Sequence, residues 1–372
     1  MDDLRQASQR IERLMPLAQA RACIDGLVAP VAPRRIGSDA AFGRVLAGEI
    51  IVAHSHPAPA VALRDGFALR AEATLDASAY APVLVAAIAV EVGDPLPDGA
   101  DAVAPLEAVE LRGGAVFAVA PLAPGDGVLP AGADAAPNEV MCATGARLRA
   151  VDIAALAALG VGQIDVREPW VRIAAASAAD DRFIASIGGL LARAIHGAGG
   201  VAVAPPGTSL DRALDDPGAD AVVVIGGSGM GQRDRSVHEL ARRGTLAFHG
   251  VGISPGETAA FGMVGQRPTL VVPGRVDAAL AAWLLLGRPM LARLCGYDDD
   301  ERGTPVTLTR KIASTLGLAE LVPVAREQDG VTPLASGYLS LQSLARADGY
   351  VLVSADSEGF PAGARVEMRP LP

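Results

Sequence analysis

One stretch constrains the fold more than any other: A-D-A-V-V-V-I-G-G-S-G-M-G-Q-R-D, residues 219–234. The unalternating run 221–225 predicts a strand buried on both faces, because a strand with one wet face alternates apolar and polar side chains. Four glycines fall within the next six residues. They let the backbone turn tightly and come close to a ligand. A candidate site is therefore expected at the C-terminal end of this strand.

The flanking sequence builds a domain around it. Residues 171–176, 201–204, 245–251 and 268–272 read as further strands, and 184–196, 210–214, 236–243 and 276–286 as helices. Alternation at this spacing predicts βαβ units and a three-layer domain on a parallel sheet. Elsewhere, residues 4–22 have helical spacing, with a kink or a new start at Pro16. Between Tyr80 and Pro130, short Val- and Ala-rich strands alternate with glycine turns, as in a small β-barrel or sandwich. A helix is expected at 152–159 with Gly160 as its C-cap, and the chain after Gly303 reads as β-rich. The expected division is 1–50 with 140–169, then 51–139 as an insertion, 170–298, and 299–372.

Composition narrows the function classes. Hydrophobic residues make up 51% and charged residues 20% of 372, which supports sizeable cores and argues against disorder. Net charge is −10, and Lys311 is the single lysine. That balance argues against broad nucleic-acid binding but leaves arginines to line a phosphate pocket. Cys23, Cys142 and Cys295 are widely spaced, which fits a reducing compartment. The acidic opening M-D-D-L-R-Q-A lacks a signal-peptide core, and no window of 18 apolar residues runs free of charge or turn. A cytoplasmic protein without a membrane segment is expected. His54 and His56 lack a third ligand nearby, so an ordinary loop is the reading there.

The chemistry gathers at the strand ends. Asp180 and Asp181 follow the first strand of the sheet domain. In the central loop, Gly226, Gly227, Ser228, Gly231 and Asp234 suit a phosphate and a magnesium ion. Pro273, Gly274 and Arg275 lead into a helix whose first N–H groups favour an anion, and Arg275 adds a charge-assisted donor. Pro255 and Gly256 form a fourth turn. In the N-terminal half, Asp65-Gly66 is a turn pair; Asp65 is also a candidate beside a ligand, with Arg64 available to a phosphate or carboxylate. No Ser-His-Asp set and no dinucleotide G-x-G-x-x-G spacing occurs.

These segments, in this order, resemble the MoeA family of molybdopterin molybdenumtransferases, related to the C-terminal region of gephyrin. R-D-G-F-A at 64–68 is similar to the family's M-D-G-Y-A. G-D-P-L-P-D-G-A-D-A-V at 93–103 is the most specific match, with Glu107 or Glu110 near the glutamate that follows it. A-T-G-A-R-L at 143–148, S-G at 336–337 and A-D-G at 347–349 resemble further marks.

The resemblance implies a MogA-like three-layer αβα domain, an inserted small β domain, an elongated N-terminal domain and a C-terminal β-barrel-like domain, assembled as a homodimer. It implies adenylylated molybdopterin and molybdate as substrates, with a magnesium-assisted release of AMP. Other cofactor-biosynthesis or molybdoenzyme-maturation proteins are possible partners. Asp65, Asp181 and Asp234 take the catalytic positions, and Asp180, Asp181 and Asp234 the metal positions. Arg64, Gly226, Gly227, Ser228, Gly231, Pro255, Gly256, Pro273, Gly274 and Arg275 take cofactor-binding ones.

The sequence departs from the family where it would touch that ligand. S-T-G-D-E becomes S-A-A-D-D at 177–181, P-G-K-P becomes P-G-E-T at 255–258, and P-G-N-P becomes P-G-R-V at 273–276. Glu257 thus stands where a cation meets an anion, a reversal worth several kcal/mol in a partly buried site. A non-catalytic paralogue that binds or delivers the pterin is the alternative, and a purely structural homodimer the third.

Overall fold

The computed structural model describes residues 10–176, 182–203, 208–231, 234–299 and 303–372. The chain forms two compact units. One holds the residues up to Ala47 with Gly145–Ile153 and Gly162–Pro372; the other holds Gly48–Thr144 and Ala154–Val161.

In the first unit, α1 (Leu17–Leu27) begins directly after Pro16, a position where the missing N–H costs nothing. Helix α2 (Ala150–Ala158) starts on a side-chain clasp in which Asp152 Oδ2 accepts from the Arg149 N–H at 2.8 Å. The central sheet follows. Its strands are β1 (Trp170–Ala175), β2 (Val201–Ala202), β3 (Thr208–Ser209), β4 (Ala221–Ile225), β5 (Thr245–His249), β6 (Ala260–Val264) and β7 (Arg267–Val272). Their spatial order is β2-β1-β4-β7-β6-β5, with β3 also on β1.

Helices α3 (Arg182–Gly197), α4 (Leu210–Asp215) and α5 (Ser236–Arg243) are the crossovers. All five residues of β4 are fully buried. Ala221, Val223 and Ile225 pack with α3 on one face, and Val222 and Val224 pack with α4 and α5 on the other. Each such Val or Ile contributes on the order of 2 kcal/mol. Three layers result.

The sheet is mixed rather than parallel. β1, β2, β3, β4 and β7 run parallel, whereas β5–β6 and β6–β7 are antiparallel. Only Gly265 and Gln266 separate β6 from β7, and a connection that short permits only a hairpin. Gly265 has φ +62° there.

The last helix also differs from expectation. Instead of stopping at 286, it continues from α6 (Val276–Ala282) through a π-helical turn, Trp283–Gly287, into α7 (Arg288–Cys295). Pro289 has no N–H to give the carbonyl four residues back, which is Leu285. Arg21 Nε donates to that oxygen instead, at 3.0 Å. Residues Val276–Cys295 are long and apolar enough to cross a membrane, but 89% of an 18-residue window within them is buried inside the fold. It is the core helix against the sheet.

A second mixed sheet closes this unit. Ile253–Ser254 pairs in parallel with Ala319–Glu327, which continues through Gly349–Val353 and Arg365–Arg369 to Thr304–Thr307. Gly330–Pro333 pairs on the other side of Ala319–Glu327. Helix α8 (Leu341–Arg346) is capped by Ser340 Oγ, which accepts from the Ser343 N–H.

The other unit is built of short strands. Gly66–Leu69 lies between Ile88–Val90 and Ala102–Pro105, and Ala115–Ala118 between Val83–Val85 and Val109–Arg112. Its core is Leu69, Val85, Ala102, Ala104, Val116 and Ala118, as a chain poor in aromatics requires.

Candidate functional site

The site is built at the C-terminal edge of β4 and β7. Gly226 and Gly227 leave β4 with φ +81° and +67°, values that side chains with a Cβ disfavour. A Cβ on Gly227 would overlap Ser236 Oγ and approach Ala176 Cβ to 2.8 Å. Ser236, buried at the start of α5, ties the loop down: its Oγ donates to Gly226 O at 2.9 Å, and its N–H to Gly227 O at 3.0 Å.

Two turns and one strand residue converge on that loop. A Cβ on Gly274 would lie 3.4 Å from the Gly226 Cα, so the turn after β7 packs backbone to backbone against the turn after β4. Ser228, 2% exposed, hydrogen-bonds through Oγ to Thr258 Oγ1 at 2.9 Å. This joins the loop to the Pro255–Thr258 turn. His249 Nε2 meets Ser228 O at 2.8 Å and so donates to it. A Cβ on Gly256 would fall 3.2 Å from Ala278 O, placing the same turn against α6. Gly226, Gly227, Ser228, Pro255, Gly256, Pro273 and Gly274 are therefore brought together.

Asp234 closes the central loop on itself. Its Oδ2 accepts from the Gly231 N–H at 2.9 Å, and its own N–H donates to Gly231 O at 3.0 Å. Oδ1 has no partner among the described residues. Asp180 and Asp181 lie outside the described residues.

Arg275 is occupied. Its Nε and Nη2 donate to Asp277 at 3.1 and 2.7 Å, and its guanidinium lies 4.8 Å from the Tyr338 ring centre. Asp277 is 4% exposed and also accepts from the Leu339 N–H at 3.4 Å. The Asp277 hydrogen bonds push the Arg275 pKa further up; among the charges around it, those of Asp277, Tyr338 and Glu257 act the same way. Glu257 turns back, Oε2 accepting from the Gly256 N–H at 3.1 Å. The basic residue of this edge thus faces two carboxylates. It remains 61% exposed, with its outer face open to a ligand.

Sequence reasoning missed the support for Tyr338. Glu320, 4% exposed, accepts through Oε1 from the Gly337 N–H at 2.7 Å and from Ser336 Oγ at 2.5 Å. It sits opposite Ser254 in the sheet register. The Ser336-Gly337 pair is visible in the sequence; the carboxylate that holds it is far away in the chain. Asp277 was legible only as the next acid after P-G-R-V.

Arg64 and Asp65 lie on the other unit. Asp65 is exposed and accepts through Oδ1 from the Val92 N–H at 2.9 Å. Gly66 after it is required, because a Cβ there would collide with Ala104 O. The acids of the 93–103 segment also fix turns: Asp94 accepts from the Glu91 N–H, and Asp101 from the Ala71 N–H. No group of three metal-ligand side chains occurs among the described residues.

Comparison with known proteins agrees along the chain. Residues 15–160 match the MoeA N-terminal region (domain I and II), 206–293 the probable molybdopterin binding domain, and 305–371 the MoeA C-terminal region (domain IV). Molybdopterin molybdenumtransferase 2 of Mycobacterium tuberculosis is 26% identical over 88% of this chain and 92% of its own length. A Methanocaldococcus jannaschii protein assigned to molybdopterin biosynthesis is 30% identical over 152 residues, 40% of this chain and 36% of that protein. Two crystal structures of a molybdopterin biosynthesis MoeA protein from Pyrococcus horikoshii align over 96% of this chain, with TM-scores of 0.73 and 0.75 at 24% and 25% identity. With three successive regional matches and a shared fold over almost its whole length, the chain belongs to the MoeA family.

Proposed function

We propose that this protein acts in molybdenum cofactor biosynthesis, holding adenylylated molybdopterin at the edge formed by the turns after β4 and β7. The observation that carries the reading is the backbone contact of Gly226 with Gly274, joined through Ser228 to Thr258. It makes a side-chain-free floor on which a phosphate can meet backbone N–H groups and the N-terminus of α6.

Magnesium fits this edge. A magnesium ion held mainly by phosphates takes one or two carboxylates, and Asp234 keeps Oδ1 for it. Asp180 and Asp181, in the segment after β1, are the further proposed ligands. The ion supplies positive charge to the phosphate oxygens. Asp234 also keeps the central loop closed, Ser228 and the glycine backbone position the phosphates, and Arg275 adds its outer face. Asp65 and Arg64 are further proposed functional residues, on the other unit, and the protein is in this reading a cytoplasmic homodimer whose C-terminal domain closes as a barrel.

The reaction is insertion of molybdate with release of AMP. A specific observation favours a second reading, binding without hydrolysis: the Asp277 clasp on Arg275 and the Glu257 carboxylate weaken the pull on a phosphate. The test is incubation with adenylylated molybdopterin, magnesium and molybdate, measuring AMP and active cofactor. Both products support the transferase. Saturable pterin binding without AMP supports the second reading, and the absence of binding contradicts both.

A further inference from the structure

A cavity of about 430 Å³ lies at the other end of α3. Ile184 at the start of α3 packs beside Gly226 and Gly274, whereas Gly197, which lines the cavity, is thirteen residues or about 20 Å further along the axis. The cavity is therefore separate from the ligand edge. Its volume is that of a small-molecule pocket.

Its walls are of two kinds. Leu371, between Pro370 and Pro372, supplies apolar surface, backed by Trp283 and Leu284 of the π-helical turn, which are themselves only 1% and 2% exposed. A π-helical turn in a buried core helix is a local irregularity of the kind often found at ligand sites, and here it lies behind the cavity wall. Tyr297 adds a hydroxyl that burial pushes up to about 12, so it stays neutral and donates to Ala198 O at 3.4 Å.

Arg147 and Arg193 stand at the rim, both exposed. Neither meets a carboxylate among the described residues. Arg147 donates through Nε to Gly43 O at 3.1 Å and through Nη2 to Gly197 O, leaving Nη1. Among the described residues, Arg193 donates through Nη1 alone, to Gly189 O at 3.0 Å. The two side-chain carboxylates of the cavity lie against other arginines, Asp299 at 3.1 Å from Arg288 and Asp298 at 3.7 Å from Arg293. Two arginines with spare donors over an apolar wall are unusual on a chain of net charge −10.

We infer that this cavity binds a small organic carboxylate with an apolar body, its carboxylate shared by Arg147 and Arg193 and its body against Leu371 and the prolines beside it. Guanidinium groups pair with carboxylates through parallel N–H donors, and the apolar wall rejects a bare hydrated anion. The inference is independent of pterin binding at the sheet edge.

The test is calorimetric titration of the full chain with indole-3-acetate and octanoate, against indole-3-acetamide, octanamide and acetate. At least one acid is expected to bind saturably with Kd below about 1 mM, with its amide at least tenfold weaker and acetate silent. Arg193→Gln, which gives up only a bond within its own helix, should weaken the acid about tenfold without moving the melting temperature. Arg147→Gln with Arg193→Gln should abolish it. Equal binding of acid and amide, undiminished binding by Arg193→Gln, or no saturable binding of either acid overturns the proposal.

Discussion

At the scale of single residues, the candidate site is a contest over charge. Arg275 is the basic side chain that the turn after β7 offers, and Asp277 holds it by two hydrogen bonds while buried beneath it. Asp277→Ala removes that clasp and the partner of Leu339, so unfolding in urea should show a loss of about 1–3 kcal/mol; a change below about 0.5 kcal/mol would refute the clasp as a structural tie. Gly227→Ala forces a Cβ into Ser236 and Ala176 at positive φ. It should abolish pterin binding while costing about 1–3 kcal/mol of stability, read by titration and thermal melting together. Unaltered binding would remove the loop from the site. The glycines were legible in the sequence because a conformation open mainly to glycine leaves a direct mark. Asp277 was not, since its partners, Arg275 and Leu339, lie two and 62 residues away and only the fold brings the latter near.

At the scale of elements, β4 shows what local sequence settles. Five consecutive apolar residues, four of them β-branched and followed directly by glycines, favour a short strand covered on both faces over a helix, and both clusters are present. The direction of its neighbours was less legible. The residues 260–264 before the hairpin did not read as a strand, so β6 and the antiparallel edge went unpredicted. The core helix read as ending at 286, yet the fold carries it through as a π turn, Trp283–Gly287. A Cβ on Gly287 would overlap the Trp283 ring, with Cζ3 at 2.9 Å. Gly287→Ala should therefore destabilise by about 1–3 kcal/mol, measured by urea unfolding; a stabilised variant would show that the turn is not set by this contact.

Helix α2 gives a pH test. The hydrogen bonds from Arg149 lower the Asp152 pKa, so its contribution is complete above the unfolded value near 4 and fades as pH falls through the lower folded one. Asp152→Ala should cost about 0.5–1 kcal/mol at pH 7. The difference should close toward pH 2, and a pH-independent difference would contradict the clasp.

At the scale of the molecule, the motif most specific to the family, residues 93–103, proves to be architecture in its own unit: Asp94 and Asp101 hold turns. In the proposed function, the residues that matter most are those that depart from the family, Glu257 above all, with Arg275 on the neighbouring turn. A whole-length match therefore speaks more strongly for the fold than for the reaction. The central claim is that the turns after β4 and β7, with the Pro255–Thr258 turn, hold an anionic pterin nucleotide against an unfavourable carboxylate. Equilibrium binding of adenylylated molybdopterin to the parent protein and to Glu257→Lys tests it most directly. Saturable binding by the parent, tightened about tenfold or more by the lysine, is the predicted result; parent and variant binding alike, or neither binding, would contradict it.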